Sequence, residues 1–544
     1  MLPKLRLTAL AALIALTATG CENGESTEAG PTEPPQVTAA ITNCSDITPR
    51  VDFAVAARPV CSASSVQEAM NVGGKIVLPA NCNIALSAPL IFRRVVAIDG
   101  NGATISGNNV TRIFQDDRDY RESTGSDFTL VNATLTNGRD VGSGGGAVKG
   151  AQFGKMTFIN VRFTNNVSDG TGGEDGGGAI YKDEGGLLRV FNSHFSGNTA
   201  TNGGAIKNLL SNIQVVNSSF VGNTARGGNN GGGAIFVDGL AQTTTPPPLS
   251  TPGGLGYAPN GYAVDTYGKG RMCGTYFQGN TVGGQYDVNR TGRLGGGIMA
   301  HVYGGGAKPG ATTVEIERSV FDGNTALDGG GGMRLGGDGL GPTGGTYTVS
   351  HTVVRNNRAG NHGGGVRFSE SNGSFTNVTV ADNCANANND VGSCTDNSSS
   401  GGLGGGIAAF EKRFTLDRVT VVRNRAASYG GALAQPGATV PGTGGPGTMI
   451  NTIVASNTAG NPFGVAHNCV GPAFTNGSGS LQWPTPIIGP FEPGCGSTGS
   501  TVDPNVSALA QICPTRIAGS STANTPIVIF LPNASITAGA RCPN

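Results

Sequence analysis

The feature that most constrains this chain is an internal repeat built from two short motifs. The first motif is a run of glycines followed by an aliphatic residue, usually with a small residue between, and its nine copies end at Val148, Ile180, Ile206, Ile235, Ile298, Met333, Val366, Ile407 and Leu433. The second motif is a hydrophobic residue followed three positions later by asparagine, at Asn166, Asn198, Asn223, Asn280, Asn324, Asn357, Asn383, Asn424 and Asn457. The closest copies are 25 residues apart. A period of this length is typical of solenoids.

The segments between the motifs predict short strands. Residues 215–220 are rich in β-branched and aromatic residues, and similar segments recur between Gly and Asn. No helical pattern of ten residues or more intervenes, so alternating strand–helix units are excluded. With 92 glycines and 13% charged residues, a coiled coil is excluded as well. The sequence therefore predicts an all-β fold, a single-stranded parallel β-helix in which repeated asparagines bond the next coil and Phe195 stacks on Phe220.

The two motifs resemble the GGAI and FxxN repeats of polymorphic outer-membrane proteins, within the pectin-lyase-like right-handed β-helix superfamily. Residues 65–70 resemble the short cap helix of that superfamily, and residues 74–79 and 96–105 resemble its first coils. The tail after residue 451 is similar to the choice-of-anchor Q region of bacterial β-helix proteins. The resemblance covers about residues 60–544 and implies a right-handed solenoid with an N-terminal cap helix.

The N-terminus predicts export. Lys4 and Arg6 precede an apolar run over residues 7–16, which is too short to span a bilayer and is typical of a signal peptide. Residues 18–21, Ala-Thr-Gly-Cys, resemble the lipobox of bacterial lipoproteins, in which the cysteine carries the lipid. The resemblance implies a protein anchored through Cys21 at the outer membrane or cell surface, with an extracellular location as the alternative.

Five successive regions are expected along the chain: a signal peptide over 1–20, a flexible tether over 21–40, an N-terminal cap over 41–73, the β-helix over 74–458, and a disulfide-containing C-terminal cap over 459–544. Of the 11 cysteines, Cys21 is assigned to the lipid, and the remaining even number favours structural disulfides in an exported protein. Plausible local pairs are Cys384–Cys394, Cys469–Cys495 and Cys513–Cys542, with Cys44, Cys61 and Cys82 clustered near the start.

Aligning the coils on the aliphatic residue of the glycine motif predicts which side chains share a face. Side chains alternate along a strand, so the residue after an inward aliphatic one should point outward. These outward positions, which we name the cation–ring row, are Lys149, Tyr181, Lys207, Phe236, Met299, Arg334 and Arg367. Exposed cations and rings suit an anionic polysaccharide, because cations bind carboxylates and rings stack on sugar faces. Three tyrosines of the following insert, Tyr257, Tyr262 and Tyr267, are expected to add to this ligand site; the alternative is an ordinary solvated face.

A candidate catalytic group lies two positions further along these strands. Asp238 and His301 are expected on neighbouring coils, with Arg334 on the next one, so that acid–base chemistry is conceivable. The alternative is that they are surface polar residues. Acidic residues also suggest calcium, as in pectate lyases of the superfamily, at Glu174, Asp175, Asp183 and Glu184. Solvated turn carboxylates are the simpler interpretation, and no other cofactor or metal is expected.

Three functions stay open. The first is a surface lipoprotein that binds carbohydrate or extracellular matrix, like an adhesin; the second is an extracellular polysaccharide lyase or glycoside hydrolase; the third is a structural spacer of the envelope. Binding is favoured, because it needs only the cation–ring row and the tyrosine-rich insert, whereas an enzyme needs carboxylates and a base converging on one groove. The formal net charge of +0 gives no general attraction to nucleic acid. A monomer is expected.

Overall fold

The computed structural model describes most of the chain from residue 51 onward. The described residues are 51–117, 126–227, 231–240, 268–283, 293–302, 312–337, 345–388, 390–392, 394, 397–398, 401–410, 414–435, 447–460, 468–472, 474–484, 495, 510–514 and 526–530. The predictions for the signal peptide, the tether, Cys21, Tyr257, Tyr262 and Tyr267 fall outside these residues.

Within the described part of the chain, one helix, Ala63–Val72, precedes the strands. The side chain of Ser62 accepts a hydrogen bond from the backbone N–H of Ser65, and Gly73 ends the helix with a φ of 83°. Serine is a preferred N-cap residue, and glycine with a positive φ commonly ends a helix. The side chain of Gln67 bonds both the N–H and the C=O of Ile91. The helix is therefore fixed to the first coils, as the resemblance to a cap helix implied.

The strands form three parallel sheets, and from Arg139 to Val470 each coil contributes to the three sheets in turn. Within the described residues, the first sheet has 23 strands: Gly74–Val77, Asn83–Ala85, Val96–Ser106, Asp127–Thr136, Lys155–Thr164, Leu187–Phe191, His194–Ser196, Asn212–Val216, Ser219–Val221, Lys269–Cys273, Tyr276–Gln278, Thr313–Glu317, Val320–Asp322, Thr346–Ser350, Val353–Arg355, Asn372–Thr376, Thr379–Ala381, Phe414–Asp417, Thr420–Val422, Thr448–Ile450, Ile453–Ala455, Thr475–Ser478 and Leu481–Trp483.

The second and third sheets are smaller. Within the described residues, the second sheet has 10 strands of two residues: Arg139–Asp140, Val167–Ser168, Thr199–Ala200, Thr224–Ala225, Thr281–Val282, Thr325–Ala326, Arg358–Ala359, Cys384–Ala385, Arg425–Ala426 and Thr458–Ala459. The third sheet there has 12 strands: Leu90–Phe92, Phe114–Asp116, Val148–Gly150, Ile180–Lys182, Ile206–Leu209, Ile235–Asp238, Ile298–Val302, Met333–Gly337, Val366–Ser369, Ile407–Phe410, Leu433–Ala434 and Cys469–Val470.

The chain is thus a single-stranded parallel β-helix, as predicted. Parallel pairing begins at Gly74 and continues to Trp483, so the coils extend past the predicted boundary at residue 458. Strands Ala510–Pro514 and Pro526–Phe530 form a separate antiparallel pair.

Two ladders of identical side chains fill the interior. The rings of Phe163, Phe195, Phe220, Phe277 and Phe321 stack with centroids 4.5, 4.6, 5.1 and 4.5 Å apart. The predicted stacking of Phe195 on Phe220 is therefore confirmed. Beside the rings, the asparagines of the second motif form a continuous chain of amide hydrogen bonds, such as Asn198 Nδ2 to Asn223 Oδ1 at 2.9 Å. The backbone N–H of Asn198 donates to the same oxygen at 3.1 Å. A buried amide row of this kind ties each coil to the next.

The glycine motif is needed for the turn into the third sheet. Gly203 adopts a φ of 56°, and a Cβ there would clash with the carbonyl oxygen of Ile206. At the next position, a Cβ on Gly204 would clash with the carbonyl oxygen of Gly233 in the following coil. One glycine therefore provides the left-handed turn and its neighbour the close contact between coils.

Disulfides close several connections. Two of the predicted pairs, Cys384–Cys394 and Cys469–Cys495, are confirmed, and Cys61–Cys82 joins the N-terminal cap to the first coils. Cys273 is also disulfide-bonded. The pair Cys513–Cys542 falls outside the side chains that the structure describes. Among the described residues, no helix is both long enough and apolar enough to span a membrane.

Candidate functional site

The outer face of the third sheet carries the cation–ring row. The backbone register pairs Lys149 with Tyr181, Tyr181 with Lys207, and Lys207 with Phe236. It continues through Met299 to Arg334 and Arg367. The motif alignment thus predicted the lateral order of these residues, because each coil has the same number of residues between its glycine turn and its strand.

The expectation that this row is exposed is wrong. Tyr181 is 6% exposed, Lys207 0%, Phe236 1% and Arg334 8%. Neighbouring coils lie only about 4.8 Å apart, so long side chains cover one another. Leu294, from the preceding turn, also packs against Phe236 and Met299.

Glycine turns add to this cover. A Cβ on Gly176 would lie 2.9 Å from Cδ of Lys207, and one on Gly329 would lie 2.7 Å from Cδ of Arg367. Lys149 and Arg367, near the two ends of the row, stay half-buried. These two cations are the members of the row that solvent reaches.

Cations and rings of the row contact each other directly. Lys149 Nζ lies 5.7 Å from the ring centroid of Tyr181, and Lys207 Nζ lies 5.0 Å from that of Phe236. Both distances fall within the range of cation–π attraction. Burial lowers the pKa of Lys149, and the guanidinium of Arg112 lowers it further. Among the described residues, Lys149 has no ion-pair partner.

The inner cation of the row is neutralised. Lys207 Nζ lies 2.9 Å from Glu174 Oε2 and 3.1 Å from Asp238 Oδ2. Asp238 is 2% exposed and Lys207 0%, whereas the side chain of Glu174 is 70% exposed. A buried lysine and carboxylate require such pairing, because an isolated charge in the interior is costly. Asp238 therefore holds Lys207 in place.

The three candidate catalytic residues lie on successive strands. Asp238 and His301 are register partners, and Arg334 follows on the next strand. Arg334 Nη1 lies 3.1 Å from His301 Nδ1. Arginine only donates, so His301 Nδ1 is the acceptor of this contact. Asp238 bonds Lys207, which lies on the preceding strand. His301 bonds Arg334, which lies on the following strand.

The acidic residues considered for calcium make other contacts. Glu174 pairs with Lys207, Asp175 Oδ2 accepts a hydrogen bond from the N–H of Gly172 at 2.7 Å, and Asp183 Oδ1 accepts one from the N–H of Glu184 at 2.9 Å. Within the described residues, no three His, Cys, Asp or Glu side chains are grouped to hold a metal ion. Calcium binding stays a prediction.

A cluster at one end of the row was missed by the sequence analysis. Arg367 Nη1 lies 3.2 Å from Asp328 Oδ2, and its guanidinium lies 5.2 Å from the ring centroid of Phe410. His362 packs on the same ring at 5.4 Å. Burial and the charge of Arg367 lower the pKa of His362 to about 4. Extending the motif alignment into the glycine turns, and applying the offset of Asp238 and His301 to the strand that begins at Ile407, would have found this cluster.

The fold and this surface define a class: a parallel β-helix protein with a row of cations and rings along one sheet. No protein-family model and no curated protein matches the chain. Among solved structures, the chain is similar to the A-module of the Azotobacter vinelandii mannuronan C-5 epimerase AlgE6, with a TM-score of 0.37 and 12% sequence identity, covering 78% of this chain and 95% of that chain. A similarity this low carries no information about ligand or reaction.

Proposed function

We propose that the protein is an adhesin-like lipoprotein whose third sheet binds an acidic polysaccharide. The supporting observation is the register of the cation–ring row, which lines up Lys149, Lys207, Arg334 and Arg367 on a single face. A linear polyanion running along the solenoid would meet accessible positive charge near both ends of the row, at Lys149 and at Arg367. Such repeated contacts give avidity that no single coil provides.

Long connections precede or follow several strands of the third sheet along the chain. Between the third and first sheets, the strands are separated by residues 239–268, 303–312 and 338–345. Between the second and third sheets, they are separated by residues 283–297 and 386–406. Binding residues are often carried by loops on a rigid scaffold. We infer that the tyrosines of the first of these connections, Tyr257, Tyr262 and Tyr267, contribute to the site.

The members of the row have different roles in this proposal. Lys149 and Arg367 are accessible and contact the ligand. Lys207 and Arg334 lie beneath the surface, where Lys207 pairs with Glu174 and Asp238 and Arg334 bonds His301. Exposed charge pairs contribute about 0–1 kcal/mol each, so only a combined variant should lose binding clearly.

The test is retention of the protein by polygalacturonate or alginate in affinity electrophoresis. We expect Lys149→Ala with Arg367→Ala to weaken retention up to about tenfold and to flatten its dependence on salt. A matched control is Arg139→Ala with Arg423→Ala, which removes the same charge from one exposed and one half-buried arginine at and beside the second sheet. Equal losses in both variants, or none in the first, would contradict the proposed surface.

An enzyme is the second candidate, supported by one observation. His301 is half-buried and its Nδ1 lies 3.1 Å from Arg334 Nη1, which gives a positioned imidazole beside the row. A lyase would release unsaturated sugars, measured by their ultraviolet absorbance, and a hydrolase would release reducing ends. His301→Ala should then abolish turnover and leave polysaccharide retention intact. Absence of turnover on uronate polymers would exclude this candidate for those substrates.

The anchor is proposed separately. The lipobox-like residues 18–21 support lipidation of Cys21 and export to the outer membrane or cell surface. Cys21→Ser should move the protein from the detergent phase to the aqueous phase on phase partition. Unchanged partition would remove the lipid anchor from the proposal.

A further inference from the structure

A stripe of apolar side chains crosses the outer face of the first sheet. On five successive strands the register aligns Val131, Ile159, Phe191, Val216 and Cys273. The residue before each of them belongs to the core, so the stripe itself points outward. Phe191, Val216 and Cys273 are nevertheless at most 1% exposed. The stripe is therefore covered along these three strands.

Cys273, at one end of this stripe, forms a disulfide. Six of the 11 cysteines pair with one another, as Cys61–Cys82, Cys384–Cys394 and Cys469–Cys495. The candidates that remain as partners of Cys273 are Cys21, Cys44, Cys513 and Cys542. The sequence assigns Cys21 to a lipid and predicts that the last two of these pair with each other. Cys44 is then the partner that is left.

The first described residues of the chain run toward the stripe. Ala57 pairs with Ile76 at the edge of the first sheet. Six residues earlier, Val51 lines a cavity on the outer face of that sheet, beside Lys155 of the fourth coil and Leu187 of the fifth, counted from the cap helix. Coils lie about 4.8 Å apart, so the segment advances roughly 20 Å over these six residues. Only an extended chain covers that distance.

The sequence continues this extended pattern before residue 51. Apolar residues occupy alternate positions at Ile47, Pro49, Val51 and Phe53, and polar ones lie at 46, 48, 50 and 52. In the described part, the side chains of Val51 and Phe53 are half-buried and Asp52 is exposed. An extended segment with this period has one apolar face, which suits an apolar stripe.

The length of the chain also suits Cys44. Seven residues lead from Val51 back to Cys44, and an extended chain of that length spans about 23 Å. The strand that contains Cys273 lies three coils beyond that of Lys155, which is roughly 15 Å. Cys44 can therefore reach Cys273 along the stripe.

We propose that residues 44–50 dock on the apolar stripe and that Cys44 is the disulfide partner of Cys273. The two thiols form the bond by passing two electrons and two protons to a thiol–disulfide oxidant of the oxidising compartment outside the cytoplasm, whose own disulfide becomes a dithiol. With Cys61–Cys82 beyond its other end, the segment is then held by a covalent bond on each side. A cross-link between residues 44 and 273 closes a long loop, which restricts the unfolded chain strongly.

Trypsin digestion of the unreduced full-length protein, followed by mass spectrometry, identifies the partner. We expect the peptide that ends at Arg50 to be linked to peptide 272–290. Linkage of peptide 272–290 to a peptide that contains Cys513 or Cys542 would overturn the pairing. A disulfide-linked dimer on a non-reducing gel would do the same, because the partner would then belong to a second copy of the chain.

Cys44→Ala should free the thiol of Cys273, measured by maleimide labelling after denaturation without reductant. Cys469→Ala is the matched control, because it breaks a disulfide elsewhere and should leave Cys273 bonded. The first variant also separates Cys44 from Cys21, which the same tryptic peptide can contain. If Cys273 stays unlabelled in Cys44→Ala, the proposed pairing is wrong.

Docking of the segment is tested separately from the disulfide. Ile47→Asp places a charge against the apolar stripe, whereas Thr48→Asp places the same charge on the opposite face of the segment. We expect a phosphine reductant to expose the Cys273 thiol of the folded protein at least about tenfold faster in Ile47→Asp, because the cost of burying a carboxylate disfavours docking. Equal rates of reduction in the two variants would overturn the docking.

Discussion

The asparagine ladder leads to the most direct prediction about stability. Asn280 lies in the middle of the ladder and is fully buried. Its Nδ2 donates to Asn324 Oδ1 and to the carbonyl of Phe220, both at 2.9 Å. Its Oδ1 accepts from the backbone N–H and the Nδ2 of Asn223, at 3.0 and 2.9 Å. Asn280→Ala therefore removes all four bonds and leaves the backbone N–H of Asn223 without this acceptor.

The cost follows from these contacts. A stranded buried donor costs about 1–3 kcal/mol and each of the other three bonds about 0.5–1.5 kcal/mol, so we expect the free energy of unfolding to fall by roughly 3–7 kcal/mol. Solenoid stability is carried by interfaces between neighbouring coils, so the loss should be local.

Hydrogen exchange measured by mass spectrometry is the suitable assay, because it reports local opening. Amides in residues 212–225 and 313–326 should exchange at least about 100-fold faster in Asn280→Ala, whereas distant coils should not change. The control is Asn372→Ala, at an exposed asparagine of a first-sheet strand, which should change stability by at most about 0.5 kcal/mol. Equal exchange in the two variants would refute the view that the ladder holds the coils together.

Three further predictions concern the core, the turns and pH. Phe220→Ala should cost about 3–5 kcal/mol and open the chain to protease near residue 220, because the ring stacks between two others; wild-type resistance there would contradict it. Gly203→Ala should lower the urea midpoint of unfolding much more than Gly222→Ala. Both glycines have a positive φ, but only a Cβ at position 203 would clash, with the carbonyl oxygen of Ile206. Equal midpoints in the two variants would contradict the turn geometry. Burial lowers the pKa of His194 to about 4. The unfolded chain, with a pKa near 6.5, then takes up a proton that the fold excludes, and stability is lost as pH falls from about 6.5 to 4, by up to about 3 kcal/mol. His194→Gln should remove this part of the pH dependence in denaturation curves, and an unchanged dependence would count against it.

Much of the fold was predictable from local sequence. Nine successive coils each carry a glycine turn and a buried asparagine, so the repeat specifies this part of the fold coil by coil. The offset of Lys149 and Arg367 from their glycine motifs placed them in one row, although they lie more than 200 residues apart. Backbone register along a solenoid depends on residue counts within each coil, and such counts are visible in the sequence.

The burial and the hydrogen bonding of the site residues could not be predicted in the same way. Lys207 lies at an outward position, yet it is buried, because Phe236 of the next coil covers it and Asp238 and Glu174 neutralise it. The motif spacing predicted that Asp238 would act together with His301, whereas in the structure Asp238 bonds Lys207. Burial and hydrogen bonding depend on side chains from neighbouring coils and from the turns beside them. These contacts join residues far apart in the chain, and no motif offset encodes which partner a charged group finds.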